Sequence, residues 1–200
     1  PQFASQSLQK ASSIYESRRF DIAAVSSLTI QISVLKAKCH YFFGDYVISR
    51  NFCNQSMQDC QNVIGNLSTN VESPQNGSAV GNNFFHPIIA VCLDLLANIS
   101  LKCGLLREAH NYIKRSGQQV SKLYGDELVL SCDSMNTMAC FLSLRGRYRD
   151  SEAVFSKYIA GLNNIFGKNK HQTIANSYLE RGNNFFEVGY YENSMLQLGF

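Results

Sequence analysis

Four glycines set the architecture before any other residue does. Gly104, Gly125, Gly146 and Gly167 stand 21 residues apart. Gly104 opens Gly-Leu-Leu-Arg-Glu-Ala and Gly146 opens Gly-Arg-Tyr-Arg-Asp-Ser, whereas Gly125 and Gly167 close the apolar runs at Leu123-Tyr124 and Ile165-Phe166. A 42-residue unit of two helices follows, with one glycine in the turn inside the pair and one after it. The period extends both ways: Gly65 follows Gly44 by 21 residues, and Gly189 begins a further copy.

Small and large residues keep register with the turn glycines. Seven residues before each stands Ala37, Ala97, Ala139 or Gly182; two after it, Tyr46, Leu106, Tyr148 or Tyr191; five after it, Ser49, Ala109, Ser151 or Ser194. Antiparallel helices approach closely only where both backbones carry small side chains, and a large residue near the turn plugs the remaining gap.

These registrations, with His86-Pro87 and His171 each 18 residues before a turn glycine, resemble a tetratricopeptide repeat (TPR) array of the longer-period type found in kinesin light chains. Gly167-Lys168-Asn169-Lys170-His171 is similar to that family's Gly-x-x-His-Pro junction, with one residue extra and Gln172 in place of proline; Ser33 departs from the usual large residue in unit one. The resemblance covers roughly residues 28–200 and implies an all-α, right-handed α-α superhelix of about four helical hairpins plus an N-terminal helix.

The expected divisions are an N-terminal helical cap or partial repeat (1–27), unit 1 (28–65), an Asn/Ser/Gly-rich insertion (66–83), unit 2 (84–125), unit 3 (126–167) and a truncated unit 4 (168–200). Residues 4–17 carry a helical apolar spacing, and 21–27 read either as a short helix or as the start of a long one ending at Phe43. In unit 1, Leu28, Ile32, Leu35 and Cys39 are the expected core face of the first helix, and Ile48, Phe52, Met57 and Ile64 that of the second. The insertion takes up all the excess length between Gly65 and Gly104 and is expected to be disordered, at a closure cost that grows only logarithmically. The missing initiator methionine and the break in unit 4 read as an excised fragment.

Composition narrows the function. A net charge of +3 gives no footprint for nucleic acid, and no run approaches the roughly 18 apolar residues of a membrane span. The seven cysteines form no Cys-x-x-Cys pair and read as free thiols in a reducing, cytoplasmic setting. His40, His86, His110 and His171 fall in different units, and no nucleophile elbow, phosphate loop or dinucleotide fingerprint occurs. No catalysis, cofactor or metal is expected. His86 and His171 read as caps for the helices that follow them.

The resemblance implies that residues 13, 10, 6 and 3 before each turn glycine face a concave groove. From these positions Lys38, Tyr41, Asp94, Asn98, Leu101, Asn136, Asn176, Asn183 and Phe186 are the expected peptide-binding residues. Asparagine amides both donate and accept, so they hold an extended backbone whatever its side chains; Asn98 and Asn183 occupy equivalent places. TPR domains that clamp chaperone carboxylate tails need lysine ten residues before the glycine, where this chain has Val34, Asp94, Asn136 and Leu179, so that ligand is excluded. The expected function is a non-catalytic scaffold binding a protein or peptide, with neither nucleic acid nor membrane as partner. The alternatives are the helical lobe of a larger enzyme of the SET-MYND lysine methyltransferase type, and self-association through the end after Tyr190.

Overall fold

The computed structural model describes residues 22–69, 86–124, 129–167, 171–187, 189–190 and 193. Helices α1 (Ile22–Phe43) and α2 (Tyr46–Thr69) form the first hairpin, α3 (Pro87–Lys102) and α4 (Leu106–Tyr124) the second, and α5 (Val129–Leu144) and α6 (Tyr148–Phe166) the third. α7 (Gln172–Glu187) leads into a fourth turn at Gly189. No strand occurs among the described residues. The expectations for residues 4–17 and 70–83 lie outside them. α1 is the long helix of the two alternatives, and α2 runs through Gly65 to Thr69 rather than stopping before that glycine.

The turns are built alike. Gly44, Gly104, Gly146 and Gly189 all have φ between 72° and 84°, a region that side chains avoid. In each, the glycine N–H donates to the carbonyl three residues back, as in Gly104 to Leu101 at 3.1 Å. The next N–H donates five residues back: Asp45 to His40, Leu105 to Ser100, Arg147 to Leu142 and Tyr190 to Phe185, at 2.8–2.9 Å. This is the Schellman pattern, which satisfies the last carbonyls of the helix while reversing the chain.

Small residues close the hairpins where the register places them. Ala37, Ala97 and Ala139 are fully buried, as are Ser49, Ala109 and Ser151 opposite them. Ser49 Oγ donates to the Ala37 carbonyl, and Ser151 Oγ to the Ala139 carbonyl, both at 2.7 Å. Of the large residues after each glycine, Tyr46 and Leu106 pack against the core, but Tyr148 remains 40% exposed.

The core is continuous along the array. One cluster joins α1, α2 and α3 through Val34, Ala37, Cys53, Cys92 and Leu96. A second joins α3, α4 and α5 through Ala97, Ile113 and Phe141, and a third joins α5, α6 and α7 through Phe155, Leu162 and Ile174. α3 is apolar around most of its surface because α1, α2, α4 and α5 all pack on it. In hairpin one the buried face of α1 is Ile30, Val34 and Ala37, while Leu28 and Leu35, expected inside, are about half exposed; Ile48 of α2 is exposed as well. Apolar residues run so nearly around α1 that spacing alone does not choose a face.

First helices contact one another along the stack: α1 with α3, α3 with α5 and α5 with α7. No such backbone approach joins α2 to α4 or α4 to α6 among the described residues, although the Arg50 side chain of α2 reaches Glu108 of α4. The second helices therefore splay, and the first helices form the inner, concave side. No described helix is long and apolar enough to cross a membrane.

Candidate functional site: a polar seam on the concave side

Both junction histidines cap helices. His86 Nδ1 accepts from the Ile88 N–H at 3.2 Å, and its own backbone N–H donates to Gln119 Oε1. His171 Nδ1 accepts from the Thr173 N–H at 3.2 Å and stacks on Phe166 with ring centroids 4.0 Å apart. Burial pushes the His86 pKa down, so the neutral, accepting imidazole is favoured. Pro87 occupies the first turn of α3, where a missing N–H costs nothing.

One contact recurs between successive first helices. The residue nine before a turn glycine meets the residue ten before the preceding turn glycine. Between hairpins one and two the pair is apolar: Leu95 and Val34 share one buried cluster. Between hairpins two and three it is polar: Thr137 Oγ1 donates to Asp94 Oδ1 at 2.7 Å. Between hairpin three and α7, Asn136 Nδ2 donates to Glu180 Oε2.

Asn98 belongs to this stitching. Its Nδ2 lies 3.1 Å from the Asp94 carbonyl, 3.3 Å from Asp94 Oδ2 and 3.0 Å from Thr137 Oγ1. Asn136 keeps a buried Oδ1 with no hydrogen-bond partner among the described residues. The seam gathers charge from three hairpins and α7. The Tyr41 hydroxyl is pushed up to about 12, first by burial, then by Tyr46, Glu180, Cys140 and Asp94. The Cys140 thiol is likewise raised to about 12 by burial and by Glu180, partly offset by Lys102. A thiol held neutral in this way is a packing group rather than a nucleophile.

The expected groove residues divide into three groups. Asp94, Asn98 and Asn136 are half-buried and engaged between helices; Tyr41 is half-buried beside them. Leu101 is 8% exposed and belongs to the core with Ala97, Ile113 and Phe141, because α5 covers it. Lys38, Asn176, Asn183 and Phe186 are exposed, together with Leu179. Lys38, Asp94 and Asn98 border one cavity of about 110 Å³, backed by Val91, Ser116 and Val120. Thr137, Glu180 and Lys102 complete the seam and were not anticipated. Their signal was available in register: Thr137 and Glu180 each directly follow a groove position, on the side turned toward the previous first helix.

Among the described residues, no group of three or more His, Cys, Asp or Glu could hold a metal ion. Burial pushes the Cys60 thiol up to about 11, and a hydrogen bond with Cys53 together with burial drives the Cys92 thiol higher still. These thiols fill the contact between α2 and α3.

No protein-family model and no curated protein matches the chain. Among solved structures it is similar to BtubC (BKLC) from P. vanneervenii, with a TM-score of 0.62 and 13% identity. The match covers 96% of this chain and 71% of that one. At that identity the likeness speaks for the fold alone, and the fold is that of an all-helical repeat protein.

Proposed function

We propose that the chain is a TPR-type, non-catalytic interaction scaffold of the cytoplasm, which holds an extended peptide or a partner helix along its concave side. The observation that carries this reading is the polar seam itself. Tyr41, Asp94, Asn136, Cys140 and Glu180 come from four successive first helices and influence one another's hydrogen bonds or titration. In such a surface the polar groups are already held in place between helices, which lowers the ordering cost of binding.

Contact with the ligand falls to the side chains that the stitching leaves exposed: Lys38 at one end, and Asn176, Leu179 and Asn183 on α7 at the other. The test is to select binders from a random 12-residue peptide display on the intact 200-residue chain and measure their affinities by titration calorimetry. Leu179→Ala with Asn183→Ala is expected to weaken them at least tenfold at unchanged helicity. Selected peptides whose affinity ignores both substitutions would exclude the concave site.

A further inference from the structure

The splay of the second helices leaves a trough on the face opposite the seam. α4 and α6 each pack on α5, yet their backbones do not approach each other among the described residues. The space between them is about 430 Å³ and open to solvent. Ile113, Met135, Met138 and Val154 line it with apolar surface, and Lys114 and Lys157 stand on its two walls. Gly117 on α4 also borders it, and a Cβ placed there would meet nothing within 4 Å.

Charge on the α4 wall of the trough is mostly basic. α4 carries Arg107, Lys114, Arg115 and Lys122 against Glu108 alone, and Glu108 is paired with Arg50 of α2 at 3.1 Å. The acidic residues of α6 are engaged too: Asp150 with Arg147 at 2.7 Å, and Glu152 with Arg181 of α7. Neither Lys114 nor Lys157 has an ion-pair partner among the described residues.

We propose that this trough is a second docking surface, on the convex side, whose occupant is an amphipathic helix with an apolar stripe flanked by carboxylates. A helix inserts apolar side chains at positions i, i+3, i+4 and i+7 into such a groove. Methionines suit the floor, since the unbranched thioether re-packs around different shapes. Lys114 and Lys157 then meet the flanking carboxylates on either side. A nucleic acid strand is the poorer match, because stacked bases need aromatic side chains, whereas the floor offers methionine and aliphatic ones and the His110 ring at the edge is already stacked on Phe141.

The probe is an 18-residue capped, fluorescein-labelled peptide with leucines at helical spacing and glutamates flanking them. Its twin carries lysines for glutamates, and a labelled oligouridylate tests the polyanion alternative. The glutamate peptide is expected to bind at least tenfold more tightly than either, with affinity falling as salt rises. Gly117→Tyr fills the trough from a helical position with open space, and is expected to weaken binding at least tenfold without loss of helicity. Lys114→Glu with Lys157→Glu, both at exposed positions, is expected to invert the preference between the two peptides. Equal affinity for the twins, binding unchanged in Gly117→Tyr, or tighter binding of the oligouridylate would each overturn the proposal.

Discussion

A single hydroxyl distinguishes the tight contact of hairpins one and three from that of hairpin two. Ser49 and Ser151 donate to the alanine carbonyl opposite, whereas Ala109 fills the same place without a bond. Small size is therefore the requirement there, and the hydrogen bond an addition. Ser49→Ala is expected to cost about 1 kcal/mol by urea denaturation, the net worth of the one hydrogen bond its hydroxyl makes to Ala37. Ala139→Leu is expected to cost about 1–3 kcal/mol or more, because a fully buried contact has no room for the added carbons. His86 gives a pH signature. Its folded pKa lies below the unfolded value of about 6.5, so the unfolded chain takes up the proton first as the pH falls. Its contribution is complete above about pH 6.5 and is lost as the pH drops through the folded value. Melting curves between pH 5 and 7.5 are expected to show this slope in the wild type. His86→Asn, which caps without titrating, is expected to flatten it.

For a helix or a turn, the backbone decides what a glycine is for. Gly104 sits at φ 72° in a Schellman turn, and Gly117 lies within α4 with nothing near its missing Cβ. Replacement by alanine is expected to have opposite signs: a loss of about 1–2 kcal/mol at Gly104, where a side chain strains the left-handed backbone, and a gain approaching about 1 kcal/mol at Gly117, where helix propensity alone changes. Chemical denaturation of the two variants, run side by side, checks both. The turn glycines and their small partners were legible in the sequence because each answers to a local geometric demand. The orientation of α1 was not. Its apolar residues exceed what one face can bury, and only the joint packing of α2 and α3 selects Ile30 and Val34 over Leu28 and Leu35. Gly65 misled for a related reason: glycine permits a turn without imposing one, and α2 passes through it.

Along the whole array, stability depends on stitches between units as well as on the units themselves. Thr137→Val removes the donor to Asp94 and an acceptor for Asn98 while keeping the side-chain shape. The expected loss is about 1–3 kcal/mol, since the partners stay half-buried with fewer bonds. Unfolding followed by hydrogen exchange is expected to show hairpins one and two separating from hairpin three earlier than in the wild type. The same stitches explain what the sequence left hidden about the site. Register identified the inner helices and most residues of the seam, but not which of them spend their polar groups on a neighbouring unit. Asn98 and Asn183 share a register position, yet α5 engages only the first. A further property follows from first helices touching while second helices stand apart. Successive units are held together along an inner spine, like the ribs of a fan. The angle at which they meet there fixes the width of the outer trough, so a substitution that reshapes the stitches is expected to change what the opposite face can hold.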